Sequence, residues 1–170
     1  MDIEELEKLK KARFEQSEVI YQRNNLILDF LFYTGVRVSE LVNIKLTDYI
    51  GNNQYKVHGK GNKVRFILVP KFLINKLINP YSDKYLFTNK HGKTLTRIFI
   101  NQLIQMRTNL ANIKKNITPH SFRRSLATNL YKKKGRLQTI QKQLGHASLD
   151  TTIKYIHNDY QTLYNDYSKL

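Results

Sequence analysis

The chain has 170 residues, with 29 Lys and Arg against 13 Asp and Glu, a formal charge of +16, and no cysteine. A hydrophobic share of 41% beside 25% charged residues describes one globular domain rather than a disordered chain. Disulfides, thiolate nucleophiles and Cys-based zinc sites are excluded. No apolar run approaches the ~18–20 residues of a membrane span, and the acidic start at Asp2, Glu4 and Glu5 is not that of a signal peptide. The positive excess attracts polyanions, and nucleic acid leads because neutralised phosphates release counterions. A Lys- and Asn-rich composition explains part of this charge, but composition bias alone would raise Asp and Glu as well. A cytoplasmic location is expected.

The spacing predicts a first helix over residues 3–15, acidic then basic, with Ile3, Leu6, Leu9 and Phe14 as its apolar stripe. A second, more buried helix spans 19–34, carrying Ile20, Leu26, Ile27, Phe30, Leu31 and Phe32, and Gly35 follows as a left-handed terminator. A short helix from Val38 to Asn43 then begins at Arg37, with Glu40 one turn on and within reach of its guanidinium. On its own, an exposed Arg–Glu pair is worth little.

Residues 54–58 and 64–69 read as strands joined by the hairpin Gly59–Lys63, with Lys60 and Lys63 at the tip. Asp48–Tyr49 is expected to add a third short strand. Pro70 starts a helix near 71–78, and 81–93 is a loop with an extended Tyr85–Phe87 and a turn at Asn89–Gly92. A long helix spans 94–112 with Leu95, Ile98, Phe99, Leu103, Ile104, Met106 and Leu110 as its stripe. Arg97, Gln102, Gln105 and Arg107 form its polar face.

Thr118 and Pro119 are a cap and a first-turn proline for a helix running to about Lys134, ended by Gly135, with Phe122, Leu126 and Leu130 as its stripe. His120 and Arg123 share its first turn, and Arg124 adds a second guanidinium. Cations there oppose the helix dipole unless an anion is expected. A last short helix over 137–144 delivers the chain to Gly145–His146, and Ser148 or Asp150 caps a further helix running to Tyr155. No internal repeat or linker divides the chain.

The histidines are scattered, with no HExxH. So few acids argue against a two-metal nuclease, and any phosphoryl chemistry without metal would have to take its electrostatic stabilisation from side chains. TGVRVSEL (34–41), GKGNK (59–63), PHSFRRSLAT (119–128) and LGHASLDTTIKYIH (144–157) resemble the four motif blocks of the tyrosine recombinase (phage integrase) family, most closely its XerC/XerD-like bacterial members. The resemblance spans residues 3–160. Any one block is a weak signal, while the ordered set is specific.

The resemblance implies an α+β, mainly helical catalytic core, with a small antiparallel sheet packed to one side of a helical bundle. It implies that Tyr155 attacks the scissile phosphate and that Arg37 and Arg123 clamp the non-bridging oxygens. Lys60, preferred to Lys63, would be the general acid for the 5′-oxygen. His120 would donate to the phosphate or take the tyrosine proton, and His146 would hydrogen-bond the phosphate. Glu40 would support the first arginine and its histidine neighbour, and His157 matches a position where a histidine commonly appears without a catalytic role. Lys63, Arg65, Arg97 and Arg124 are expected DNA contacts. A phenol with an ordinary pKa near ~10 needs such cationic neighbours to act near neutral pH.

The expected partners are double-stranded DNA and further copies of the chain, dimer to tetramer, with no membrane, metal or other cofactor. Residues 1–170 are expected to be a single catalytic domain, with the family's N-terminal core-binding domain absent. DNA binding should then be weaker and more salt-sensitive. Residues 160–170 match a tail that family members dock on a neighbouring protomer. Two other readings stay open from the sequence: a type IB topoisomerase, and a non-catalytic DNA-binding regulatory module.

Overall fold

Helix α2 (Glu18–Thr34) carries much of the packing among the described residues. In the computed structural model, residues 1–59, 61, 63–134 and 136–145 are described. Ser17 caps α2 by accepting from the Ile20 amide, and Gly35 ends it in the left-handed conformation at φ 62°. Ile27, Leu28, Phe30 and Leu31 are fully buried, and Phe30 meets Tyr55 and Phe87 edge to face. α1 (Ile3–Lys11) and α4 (Lys71–Ile74) pack on α2. α5 (Arg97–Leu110) packs on α1 and on the short α3 (Val38–Leu41). α6 (Pro119–Lys132) lies along α2 and carries α7 (Leu137–Leu144). Leu126, Ala127, Ile140 and Leu144 bury a small core between these last two helices.

β1 (Gln54–His58) and β2 (Val64–Leu68) form an antiparallel pair in which Val57 faces Arg65 and Tyr55 faces Ile67. Alternation turns Tyr55, Val57 and Ile67 inward, while Val64, Phe66 and Leu68 stay exposed. Among the described residues the sheet has two strands. In place of the expected third, Leu46–Asp48 is a 3₁₀ turn, with Asp48 accepting from the Lys45 amide at 2.8 Å, and Tyr49 makes an isolated bridge to Tyr55. The side chain competes with the strand ladder for the backbone, as short acidic residues do.

Two further departures share one cause. α1 stops at Lys11 rather than running to residue 15, and Arg107 is not on the polar face of α5 but fully buried. The Arg107 guanidinium donates to the Leu9 and Lys10 carbonyls at 3.0 and 2.7 Å and to Glu15 at 2.8 Å. Tyr21 also donates to the Lys10 carbonyl, at 2.9 Å. Side chains from elsewhere in the fold thus satisfy carbonyls that a longer helix would have bonded. Ile98, Met106 and Leu110, expected in the stripe of α5, are exposed, and Ile100 is buried instead. α5 itself begins one residue after Thr96, whose hydroxyl accepts from the Phe99 amide at 3.1 Å.

Candidate active site

Three arginines from three elements converge on the carboxyl end of α7. Arg37, the residue before α3, donates through Nη2 to the Gly145 carbonyl at 3.2 Å. Arg123, one turn into α6, donates to the Leu144 carbonyl at 2.8 Å and to the Gly35 carbonyl. Arg65 of β2 donates to the Gln143 carbonyl. The last carbonyls of a helix lack partners within it and sit at the negative end of its dipole, so guanidiniums are favourable there.

Glycine is required at two positions of this arrangement. At Gly35 a Cβ would lie 2.7 Å from Leu144 Cδ2 and 2.9 Å from Leu126 Cδ2, so the α2 terminator is also where α6 and α7 approach closely. At Gly145, where φ is 65°, a Cβ would overlap the Arg65 side chain. A left-handed residue without a side chain is the one that fits.

Glu40 lies beneath the arginines with its side chain fully buried. Oε1 accepts from Arg37 Nη1 at 2.9 Å, and Oε2 accepts from the Arg37 amide and from Arg65 Nη2, both at 2.8 Å. Burial pushes this carboxyl up, but the Arg65 charge and the hydrogen bonds from Arg65 and Arg37 outweigh it and hold it below its ordinary range. Glu40 and Arg37, expected to lie within reach of each other, are hydrogen-bonded. The second partner of Glu40 is Arg65, an arginine that the motif pattern left as a DNA contact. One signal could have found it: with Ile67 turned inward, Arg65 shares the buried face of β2, where a charge needs a partner.

Gln143 is the other residue that sequence reasoning missed. Its amide accepts from the Leu68 amide at 2.9 Å and donates to the Leu68 carbonyl at 3.0 Å and the Thr34 carbonyl at 3.1 Å. It thereby extends the β2 ladder by one side chain and fixes α7 to both the sheet and the end of α2. His120 is exposed in the first turn of α6, and burial of part of its ring, then Arg123 and Arg124, push its pKa below the usual histidine value.

The remaining candidates divide. Lys63 is exposed at the hairpin and Arg97 at the start of α5. Arg124 is exposed on another side of α6, lining a groove with Lys115, Ser121, Thr128 and Lys132. Lys60, His146, Tyr155 and His157 lie outside the described residues, as do Gly135, the helix expected before Tyr155 and the tail 160–170. A methyl group at Gly59, just before Lys60, would sit 3.6 Å from Glu40 Oε1, and Gly145, just before His146, carries the carbonyl bonded to Arg37. Among the described residues, no helix is long and apolar enough to cross a membrane.

Comparison with known proteins matches residues 1–162 to the phage integrase family. The tyrosine recombinase XerH of Campylobacter jejuni is 36% identical over 94% of this chain and 48% of its own length. The tyrosine recombinase XerD of Staphylococcus saprophyticus is 35% identical over 85% of this chain and 54% of its own. Among solved structures, a XerH site-specific recombinase bound to palindromic difH substrate, a post-cleavage complex, superposes with a TM-score of 0.78 at 32% identity, covering 99% of this chain and 52% of that one. The chain thus spans about half the length of these relatives.

Proposed function

The chain belongs to the phage integrase family, and on that premise we propose that it is the catalytic part of a site-specific tyrosine recombinase acting on double-stranded DNA. The observation that carries the reading is the convergence of Arg37 and Arg123 on the Gly145 and Leu144 carbonyls, immediately before His146. The Arg37 guanidinium, with its side chain 42% exposed, can bind a phosphodiester in bidentate fashion, which a lysine does less well, and the buried Arg123 adds its charge at the same turn. The related XerH bound to its difH substrate supports DNA as the partner, and the charge of +16 agrees with it.

In this reading the Tyr155 hydroxyl oxygen attacks the scissile phosphorus and its proton passes to His120, which the lowered pKa keeps neutral and able to accept it. The phosphorus–5′-oxygen bond breaks, and the leaving oxygen takes a proton from Lys60. The products are a 3′-phosphotyrosyl link and a free 5′-hydroxyl. Arg37, Arg123 and His146 stabilise the charge on the non-bridging oxygens. Attack by a 5′-hydroxyl on the link reverses the sequence and rejoins a strand without ATP, because the phosphodiester bond energy is retained. Copies of the chain act together on DNA, and residues 160–170 dock on a neighbouring protomer. Synapsis that survives deletion of those residues would contradict the docking assignment.

The test uses duplexes nicked near each candidate cleavage position, drawn from DNA flanking the gene, with a difH duplex alongside. The expected result is a denaturation-resistant protein–DNA adduct, formed without added metal and lost in Tyr155→Phe. Tight DNA binding with no adduct would favour the regulatory module. Relaxation of any supercoiled plasmid without site preference would favour the topoisomerase.

A further inference from the structure

Arg65 is engaged on every side. Its side chain is 14% exposed, Nη2 bonds Glu40 Oε2 at 2.8 Å, Nε approaches Oε1 at 3.4 Å, and Nη1 bonds the Gln143 carbonyl. Its stem fills the space that a side chain at Gly145 would need. A guanidinium spent in this way on a buried carboxylate and a helix end has little left to offer a phosphate. Arg37, by contrast, is 42% exposed while it shares the same carboxylate.

The charges set the consequence. One carboxylate between two guanidiniums leaves a net positive charge, and the exposed member, Arg37, carries it toward solvent. Without Arg65, Glu40 would neutralise Arg37 alone, and the pair would attract a phosphate much less. Glu40 would also lose two of its donors in a buried position, where an unpaired charge is costly. Arg65 therefore acts at a distance from any substrate.

We propose that Arg65 is a positioning residue of this site: paired with Glu40, it leaves Arg37 cationic and oriented, and bonded to the Gln143 carbonyl, it fixes the α7 end from which the chain passes to His146. The inference rests on reading the site as the strand-cleaving centre. It replaces the expectation that Arg65 meets DNA directly.

A double-mutant cycle of Arg65→Gln, Glu40→Gln and the pair tests it, read on both duplex affinity and adduct rate in the full chain. A lost alignment predicts that Arg65→Gln alone slows adduct formation by about 100-fold and weakens duplex binding. Adding Glu40→Gln, which removes the charge that neutralises Arg37, restores at least about tenfold of the rate and part of the affinity. A direct phosphate contact predicts the opposite, with the double variant as poor as the product of the two singles or worse, and a purely structural pair predicts that the rate returns only in step with the melting temperature of the same variants. Either result overturns the proposal. If Arg65→Gln does not fold, Arg65→Lys takes its place, because it leaves Glu40 a charge but not a fork. If the wild type forms no adduct, the strand-cleavage reading fails, and the cycle read on duplex affinity alone decides the role of Arg65.

Discussion

Arg37 and Arg123 donate to neighbouring carbonyls of a single turn, Gly145 and Leu144, although one precedes α3 and the other lies in α6. The turn holds both guanidiniums in place without a substrate. Among the described residues, Arg37 makes two side-chain hydrogen bonds, one to Glu40 and one to Gly145, of the five N–H donors a guanidinium has. Its exposed edge is left to meet an anion. Preorganised donors of this kind need no rearrangement at the moment of reaction.

Gly145→Ala tests how finely that turn is set. The new methyl would overlap Arg65 and impose a left-handed backbone on an L-residue. The expected result is a melting temperature lower by roughly 2–8 °C, with adduct formation slowed by more than about tenfold. Wild-type cleavage in this variant would show that the α7 end is not part of the active arrangement.

Glu40 makes a prediction in pH. Its folded pKa lies below the unfolded value of 4.5, so between the two the unfolded chain binds the extra proton. The stability from this ionisation is complete above about pH 4.5 and is lost as pH falls through the folded value. Glu40→Gln should therefore lower the melting temperature near neutrality and flatten its fall in acid. A wild-type slope below pH 4.5 in the variant would contradict the pairing.

His120 sets an acid limit. The second-order rate of adduct formation, measured at limiting DNA, reports ionisations of the free protein. With its pKa pushed below the ordinary 6.5 by burial, Arg123 and Arg124, the rate should hold at neutral pH and fall only below that value. His120→Gln should be slow and lack this limb. An unaltered limb in the variant would assign the proton to another group.

Arg107 tests the fold rather than the chemistry. Arg107→Ala leaves Glu15 buried without its guanidinium and takes a donor from the Leu9 and Lys10 carbonyls at the end of α1, of which the second keeps Tyr21. Urea unfolding should show a loss of about 3–5 kcal/mol. A loss below about 1 kcal/mol would mean that solvent replaces the pair, as it does at exposed ion pairs.

Local signals in the sequence carried to the structure where the partners are close in the chain. Gly35 ends α2, Thr118 and Pro119 open α6, and Glu40 meets Arg37 three residues away. What stayed hidden depends on distant partners. Arg107 looked like the polar face of a helix because Leu9, Lys10 and Glu15 belong to another element. Arg65 looked like a surface charge because its acid lies across the fold on α3. Gln143 gave no signal, since a glutamine side chain extends a strand ladder only when that strand edge is beside it.

The most direct test of the central claim is the chemistry of the linkage itself. The adduct formed on a nicked duplex would be digested with protease and nuclease, and the nucleotide-bearing peptide sequenced by mass spectrometry. The expected peptide contains Tyr155, joined through its phenolic oxygen to a 3′-phosphate, with a free 5′-hydroxyl on the released strand. A link at another residue, or to a 5′-phosphate, would contradict that claim.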